Sequence, residues 1–438
     1  MLLVLIGFSE ENITPKPGYP LGGYIERFLA KQRAKGTLND IYARAMYISD
    51  GSEEALIISA EVLAFDNLFI TTTRRVIHEA TGIPKEHIML SATHTHSAPA
   101  TIAEMILFKS FLTPEDLKLT QEYNEFLITK LLEASKKAKD NATQSELLLG
   151  KGRVKNLCTN RIDPNLEKDD EIVILTDSER RGSIISFTCH PTVLGADNLL
   201  YSGDFLSYTS QVIKSCTSDA FVPVYLNGAA GDQSTRFVRK NQSVEEAKRL
   251  GEILGKEVCA VLNNLVPIEG KSIRIKCLTA EVKVRNLEEE RFRERIEKRI
   301  KELEELMKKA SSEGERRKIS QDLFTAQLIL GYYEEFANFL KTFGEKIRIG
   351  IDILFIGENV AIVFIPLELF CRYGLEIKRK SGVETTIVAC YSNGYYGYLP
   401  TETIYEHLDY EALMCVLSLS SSEALLKMIL SELSGGVG

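Results

Sequence analysis

The sequence lacks three features that would each have pointed to a class of protein. It has no excess of basic residues, because its net charge is −8, and this argues against nucleic acid as a partner. No apolar run approaches the roughly 20 residues that a membrane-spanning helix needs. The apolar start of the chain also lacks the basic segment that opens a secretion signal. We therefore expect a cytoplasmic protein without a transmembrane segment, whose first apolar run is a β-strand.

Closely spaced cysteine pairs are also absent. The eight cysteines are scattered singly, with no Cys-x-x-Cys, at positions 158, 189, 216, 259, 277, 371, 390 and 415. This spacing argues against a zinc ribbon and against a disulfide framework, so we interpret most of the cysteines as buried thiols. The remaining composition, 44% hydrophobic and 26% charged, is that of an ordinary globular protein. The sequence leaves open whether the protein is a homo-oligomer.

Apolar runs predict an α/β fold with mixed β-sheets flanked by helices. Up to about residue 100, strand-like runs surround a helical segment, 67–82, that ends at a glycine. Two further pairs of apolar runs are predicted to be β-hairpins because each pair is separated by a short turn. These pairs are 171–177 with 182–191, and 347–357 with 360–368.

Two other regions are predicted to be helical. Residues 113–140 have Thr113 as a predicted N-cap and Pro114 at the first helical position. The predicted apolar stripe of this helix consists of Leu117, Phe126, Leu127, Leu131 and Leu132. Residues 287–340 are predicted to form an antiparallel helical hairpin inserted in the fold. Because both charge signs are interspersed there, we interpret its polar face as solvated rather than as a membrane or partner-binding arm.

Two of the six histidines lie close together in the segment SATHTHSAPA, as His94 and His96. In an extended segment, side chains two residues apart point to the same side. Such a pair suits a metal site, or a metal ligand next to an acid/base group. The alternative is that both histidines are hydrogen-bonded loop residues.

Three other polar segments also follow apolar strands. His190 closes the strand IISFTCHP, Glu368 follows the buried run VFIP, and CYSNGYYGYLPTE follows TTIVAC. A buried carboxylate is costly without a partner, so Glu368 is expected to contact a cation or strong donors. Histidine and carboxylate ligands suit Zn²⁺ with an open position for water.

A series of short segments then indicates a family. In order along residues 5 to 412, they are ITPKPGYPLGGY, DIYARAMYI, THTHSAP, FTCHPTVL, YSGDFLSY, NGAAGDQS, IPLELF, NGYYGYLPTE and YEA. Through these segments the whole chain resembles the neutral/alkaline non-lysosomal ceramidases. The resemblance implies a zinc amidase of lipid metabolism that cleaves the N-acyl bond of a sphingolipid, ceramide, to a fatty acid and a sphingoid base. It also implies one catalytic domain over 1–438. Because residues 287–340 have the pattern of a solvated helical hairpin and contain none of the candidate ligands, we predict that this insertion is not needed for chemistry.

The resemblance also implies roles for individual residues. The positions of the family's zinc ligands are matched by His94, His190, Glu368 and Tyr398. The catalytic or substrate-side positions are matched by His96, Ser234, Arg161 and Tyr410. In the implied mechanism, zinc activates water and polarises the amide carbonyl, and His96 assists the transition state. An alternative makes Ser234 the nucleophile with His96 as its base, but the sequence has no Gly-x-Ser-x-Gly elbow.

The chain also departs from the family pattern. Phe205 stands in SGDFLSY where the family usually has asparagine, and Gln233 replaces the valine before Ser234. The C-terminal immunoglobulin-like domain and the secretion signal of larger ceramidases have no counterpart in the sequence. These departures leave two alternatives open. One is a hydrolase of a different small acyl amide, ester or lactone, and the other is a non-catalytic binding protein with a structural zinc site.

Overall fold

Two mixed β-sheets form the centre of the protein. The computed structural model describes residues 3–101, 111–270 and 272–435. Within these residues the strands are β1 (Leu3–Asn12), β2 (Gly36–Thr37), β3 (Tyr42–Ser49), β4 (Glu54–Ala60), β5 (Ile88–Ala92), β6 (Thr143–Arg153), β7 (Thr159–Asn160), β8 (Glu171–Asp177), β9 (Gly182–Phe187), β10 (Leu200–Tyr201), β11 (Val222–Asn227), β12 (Gln233–Ser234), β13 (Val266–Pro267), β14 (Ile273–Lys283), β15 (Lys346–Ile356), β16 (Val360–Phe364), β17 (Glu368–Leu369), β18 (Thr385–Ala389) and β19 (Tyr398–Leu399).

Helices connect and cover these strands. The described α-helices are α1 (Ile25–Leu29), α2 (Asn67–Thr81), α3 (Pro114–Asp140), α4 (Phe205–Cys216), α5 (Val244–Leu262), α6 (Phe292–Lys309), α7 (Glu313–Gly331), α8 (Tyr333–Lys341), α9 (Cys371–Lys380), α10 (Glu402–His407), α11 (Tyr410–Leu413) and α12 (Ser421–Gly435). The predicted α/β class is therefore confirmed.

The strand order confirms that the sheets are mixed. The larger sheet has the order β11-β9-β8-β6-β1-β3-β4-β5, with β13 paired to β6, and the smaller has the order β14-β15-β16-β18. The pairs β4–β5, β9–β11 and β16–β18 are parallel. Both predicted hairpins form, because β8 pairs with β9 and β15 pairs with β16 in antiparallel register.

The two sheets pack face to face, and helices cover their outer faces. Apolar side chains of both sheets form one buried cluster between them, for example Ile6 and Met89 from the larger sheet and Ile362 from the smaller. Helix α3 covers β1 and β3, while α4 and α5 pack together near β6 and β8. Helices α9 and α12 cover the smaller sheet. Strands that are buried on both faces read as continuous apolar runs, which explains why they were recognisable in the sequence.

Helix α3 begins as predicted, but its apolar stripe is partly wrong. The Thr113 side chain accepts the Asp116 N–H, and Pro114 lies in the first turn. Leu127 and Leu131 are buried, whereas Leu117 and Phe126 are 38% and 36% exposed. The reason is that the buried face continues through polar and small side chains, which the apolar pattern did not count. These are Thr120, Tyr123, Ala134, Ser135 and Ala138.

The predicted helical hairpin contains three helices instead of two. Helix α6 begins at Phe292 rather than at residue 287, and the second predicted helix is interrupted at Tyr332 between α7 and α8. Helices α6 and α7 pack against each other. Their apolar side chains share a buried cluster with Leu408, Leu413 and Val416. One face of the hairpin is therefore packed on the segment that contains the candidate residue Tyr410.

The cysteines are mostly free and buried, as expected, but two of them form a disulfide. Cys216 at the end of α4 is bonded to Cys259 in α5. Five of the free cysteines are buried and Cys277 is exposed. The sequence did not indicate this single disulfide because it depends on the packing of α4 against α5, a contact that sequence spacing does not reveal. Among the described residues, no helix is long and apolar enough to cross a membrane.

Candidate metal centre and active site

The candidate residues come together where four buried strands end. The segment after β5 carries His94, the segment after β9 carries His190, and the segments after β16 and β18 carry Glu368 and Tyr391. Asn227, the last residue of β11, fastens three of these segments to one another. Its side-chain amide nitrogen donates to the backbone carbonyls of Thr93 and Cys189, both at 3.1 Å. Its backbone carbonyl accepts the Cys390 N–H at 2.9 Å.

His94 and His190 are oriented by backbone carbonyls. His94 Nδ1 lies 2.8 Å from the Leu63 carbonyl, and His190 Nδ1 lies 2.7 Å from the Ala230 carbonyl. A carbonyl only accepts hydrogen bonds, so both Nδ1 atoms carry the hydrogen, and in a neutral imidazole Nε2 then presents a lone pair. Metal-binding histidines are commonly oriented in this way.

Both Nε2 atoms face the carboxylate of Glu368. Glu368 Oε2 lies 3.4 Å from His94 Nε2 and 3.1 Å from His190 Nε2. The same carboxylate accepts the Tyr395 hydroxyl at 2.5 Å and the Tyr391 hydroxyl at 3.3 Å. Burial, followed by the charge of Glu368, raises the pKa of Tyr395 well above its usual value, so this residue remains a donor.

This arrangement fits a divalent cation. Burial, followed by the charge of Arg161, lowers the pKa of His190 to about 4, so its imidazole is neutral at pH 7. A neutral imidazole that turns its lone pair toward a carboxylate is repelled by it, and a cation between them removes the repulsion. His94 Nε2 is buried without a hydrogen-bond partner in the described part of the chain, as expected for a ligand atom. Arg161 Nη1 also lies 3.2 Å from His190 Nε2, so metal binding there requires this arginine to release the nitrogen.

His96 lies next to this pair and has no polar partner of its own. One ring nitrogen from each of His94, His96 and His190 lies within 4.8 Å of the others, so the three histidines form an alternative metal-ligand set. Neither ring nitrogen of His96 has a hydrogen-bond partner among the described residues. Burial, followed by the charges of His94 and His190, lowers the pKa of His96 well below its usual value. The ring packs so closely on Gly23 (φ 95°) that a Cβ there would lie 2.4 Å from it.

Tyr398, Arg161 and Tyr410 lie beside the same centre. Tyr398 pairs in register with Glu368 between β17 and β19. The Arg161 guanidinium lies 5.4 Å from the Tyr398 ring centre and 5.7 Å from that of Tyr410, and its Nε donates to Glu411 at 2.7 Å. Burial, followed by the charge of Glu368, raises the pKa of Tyr398 well above its usual value. Ligation by a Tyr398 phenolate therefore requires a bound cation to reverse that shift.

Ser234 is near the histidines but is not hydrogen-bonded to His96. Its backbone forms a bridge with His190, and its hydroxyl accepts the Arg236 N–H at 3.2 Å. A serine nucleophile activated by His96 would need a hydrogen bond between the two side chains. The described structure has none, because both His96 nitrogens lack a partner.

Two spaces open from the centre, and His96 belongs to the lining of both. One is a largely apolar cavity of about 150 Å³, whose lining includes Leu63, His94, Phe339, Glu368 and Met414. The other is a cleft of about 720 Å³, whose lining includes His190, Ser234 and Arg161 together with side chains of α7. His96, Tyr398 and Tyr410 line both spaces. Any molecule that spans them must therefore pass these three residues.

Several residues that shape the site were not found from the sequence. Asn227 is a polar residue that ends an apolar strand, which is the same signal that indicated His190, and it could have been found in this way. Tyr391 and Tyr395 belong to a segment that was identified, but only Tyr398 was selected from it. Arg27 had no sequence signal. Its buried guanidinium donates to five backbone carbonyls, which belong to Gly22, His96, Gly195, Ala196 and Asn198.

The fold is shared with solved ceramidases. The neutral ceramidase from Pseudomonas aeruginosa has a TM-score of 0.74 and 16% sequence identity, over 100% of this chain and 75% of that one. A structure described as a ceramidase complexed with C2 has a TM-score of 0.76 and 16% identity, over 99% of this chain and 75% of that one. The family model described as neutral/alkaline non-lysosomal ceramidase, N-terminal, matches residues 4–247, which is more than half of the chain. The chain therefore belongs to the neutral/alkaline non-lysosomal ceramidase family.

Proposed function

We propose that this protein is a zinc-dependent amidohydrolase that cleaves the N-acyl bond of ceramide or a related acyl amide to a fatty acid and an amine. The proposed zinc ligands are His94, His190, Glu368 and Tyr398. The observation that carries the proposal is the convergence of two carbonyl-oriented histidines on one buried carboxylate. Family membership supports the type of reaction.

The metal and His96 have different proposed tasks. When bound, Zn²⁺ supplies Lewis acidity, which polarises a carbonyl oxygen and makes water a stronger acid. His96 lines both the cavity and the cleft, so its ring is next to any amide that bridges the two. It accepts the proton of the attacking water and returns it to the nitrogen of the leaving amine. The carbonyl of His96 is held by Arg27 at 2.5 Å, which fixes the backbone from which the ring acts.

Arg161 and Tyr410 act on the oxygen of the amide. Arg161 is held by Glu411, while its Nη2 is buried and has no partner among the described residues. This free N–H can donate to the oxygen that becomes negative in the transition state. Tyr410 is positioned by its backbone N–H, which donates to Asp322 at 3.0 Å, and its hydroxyl orients the substrate. Ser234 lines the cleft next to these groups, and we assign it to substrate binding rather than to nucleophilic attack.

The apolar cavity supports an acyl substrate. Its lining includes Ile25, Phe28, Leu112 and Val416, and it begins at His94 and Glu368. A fatty acyl chain placed there would have its carbonyl at the metal centre and its amine portion in the cleft. Burial of apolar area is the expected driving force for binding of that chain.

Substitution of single histidines tests the proposal. His94→Ala and His190→Ala should lose zinc and amide hydrolysis together. His96→Ala should keep stoichiometric zinc and lose kcat by ~10²–10⁴-fold, because it removes only acid/base help. His407→Ala is the control, since His407 is exposed and lines neither space. Zinc content and single-turnover rates on an N-acyl amide measure both effects. Equal zinc loss in His94→Ala and His96→Ala would replace the proposed set by the three-histidine set.

A further inference from the structure

The cleft next to the metal centre is lined by more positive than negative side chains. Its lining includes five arginines and two glutamates, which are Arg161, Arg236, Arg239, Arg316, Arg317, Glu26 and Glu313. Arg161 is paired with Glu411 outside the lining, and Arg317 is paired with Glu313. Arg236 and Arg239 have no carboxylate within ion-pair distance among the described residues. Arg236 and Arg239 are therefore not ion-paired within the described residues, although Glu411 and Asp322 act on Arg236, and Asp204 acts on Arg239, at longer range.

These two arginines are held in place by neutral groups. Arg236 donates to the Arg161 carbonyl at 3.1 Å and to the side chain of Gln321. Arg239 Nη1 donates to the Thr192 carbonyl at 2.5 Å. Such contacts fix the position of a guanidinium without cancelling its charge. A fixed, uncancelled guanidinium is suited to bind a carboxylate or a phosphate.

Unused donors in the cleft also point to a ligand. Besides Arg161 Nη2, which is assigned to the amide oxygen, Arg239 Nε is buried and has no hydrogen-bond partner among the described residues. A buried N–H of a charged group that lacks an acceptor is costly. An anionic ligand in the cleft would provide the missing acceptors and the missing negative charge together.

The position of the cleft identifies the part of the substrate that would carry the anion. The apolar cavity, which shares His96 with the cleft, suits the acyl chain. The amine portion of the same amide therefore lies in the cleft, among the arginines. The neutral hydroxyl groups of a sphingoid base would leave these charges unpaired, whereas an anionic amine portion would pair them.

Building on the proposed amidohydrolase function, we propose that the substrate is an N-acyl amine whose amine portion bears a carboxylate or a phosphate, bound by Arg236 and Arg239. N-acyl amino acids are the carboxylate class, and phosphorylated N-acyl amino alcohols are the phosphate class. In both classes the amide is hydrolysed in the same way, and water supplies the oxygen of the fatty acid and the hydrogen of the amine. A site built around charged donors discriminates strongly against analogues that lack the matching group.

A substrate series with one constant acyl chain tests this inference on the zinc-loaded full chain. The amine portions are glycine, ethanolamine phosphate, neutral ethanolamine and cationic ethylenediamine. We expect kcat/KM for at least one anionic substrate to exceed that for the neutral one by ~10–100-fold, and the cationic one to be the poorest. The ratio of anionic to neutral kcat/KM should fall as ionic strength rises. A larger ratio for glycine or for ethanolamine phosphate shows which anion is preferred.

Arginine variants then test which residues cause the preference. In Arg236→Gln and Arg239→Gln, the ratio of anionic to neutral kcat/KM should fall toward 1. Arg236→Lys should give an intermediate ratio, because lysine keeps the positive charge but lacks the planar, forked donor set of the guanidinium. Arg153→Gln is the control, since Arg153 is exposed and lies outside the cleft. Zinc content and thermal unfolding verify that each variant is folded. Equal loss for anionic and neutral substrates would overturn the inference by showing a purely structural role.

The two proposals fail in different ways. If no acyl amide is hydrolysed by the zinc-loaded protein, the proposed function is wrong. If the neutral or cationic amide is hydrolysed as well as or better than both anionic amides, the function stands and the anionic substrate class is wrong.

Discussion

The cavity and the cleft that share His96 are built by different physical means. The cavity is lined mainly by apolar side chains, so it can recognise a ligand through contact area and shape. The cleft is lined by arginines that are held by hydrogen bonds, so it can recognise charge and geometry. The difference teaches that one amide substrate can be selected loosely at its acyl end and strictly at its amine end.

The metal-binding candidates and one wall of the cleft come from different parts of the chain. The metal-binding candidates follow strands of the central sheets, and His94 and His190 lie within the residues matched by the family. One wall of the cleft is formed by α7, which lies beyond that match. Residues 287–340 therefore contribute to the lining of the cleft, and the expectation that they are not needed for chemistry stays a prediction. Whether they form an insertion within a single domain stays a prediction.

The largest expected effect concerns the ion pair that supports the cleft. Arg161 and Glu411 are 5% and 2% exposed, and Arg161 Nε donates to Glu411 at 2.7 Å. Glu411→Gln should lower the free energy of unfolding by about 3–5 kcal/mol, because it leaves a buried guanidinium without its carboxylate. Urea denaturation of the metal-loaded protein measures this loss.

A matched control is available on the surface. Glu305→Gln removes the partner of Lys308 from an exposed pair and should leave the urea midpoint unchanged. If Glu411→Gln were as stable as this control, the cleft would not depend on a buried charge pair, and the contrast with the cavity would be lost.

The next effect concerns the acyl side. Until the cavity is filled, each methylene added to a short acyl chain should raise kcat/KM by about fourfold. This factor corresponds to the free energy of ~0.8 kcal/mol gained by burying one methylene group. This increment should not change with ionic strength, whereas the preference for an anionic amine should weaken. An acyl-length series at low and high salt measures both. Equal salt sensitivity on the two sides would contradict the division between an apolar and a charged subsite.

The sequence was sufficient to predict that His94, His190 and Glu368 lie at strand ends, because that signal is local. A polar residue directly after a buried strand must lie at the end of a sheet, and this pattern indicated His94, His190 and Glu368. The choice among neighbouring tyrosines was not local. Tyr391 has a φ of 56°, so the segment leaves the strand in a left-handed conformation, and sequence periodicity does not determine which hydroxyl then reaches Glu368.

The cleft was less predictable because it depends on packing between distant elements. The amphipathic pattern of residues 287–340 showed that one helix face is buried, but not which surface covers it. The arginines at 236 and 239 follow a short turn-like segment that has no periodic pattern. Only the packing of α7 next to that segment converts them into a charged cleft. The disulfide between Cys216 and Cys259 escaped prediction for the same reason, because it depends on the packing of α4 on α5.

The smallest expected effect tests whether α7 takes part in substrate selection. Gln321 on α7 accepts a hydrogen bond from Arg236, which also donates to the Arg161 carbonyl. Gln321→Ala should lower the ratio of anionic to neutral kcat/KM by ~2–10-fold. Arg236 keeps its charge and the Arg161 carbonyl as an acceptor but loses the Gln321 acceptor, and a hydrogen bond to a charged group is worth about 1.5–3 kcal/mol at most. Gln121→Ala is the control, since Gln121 is exposed on α3 and its side chain donates to Glu125 in the same helix. A helix that only stabilises the fold would change both substrates equally and leave the ratio intact. An unchanged ratio in Gln321→Ala, together with a lower unfolding temperature, would therefore assign α7 to stability and restrict amine recognition to residues outside the hairpin.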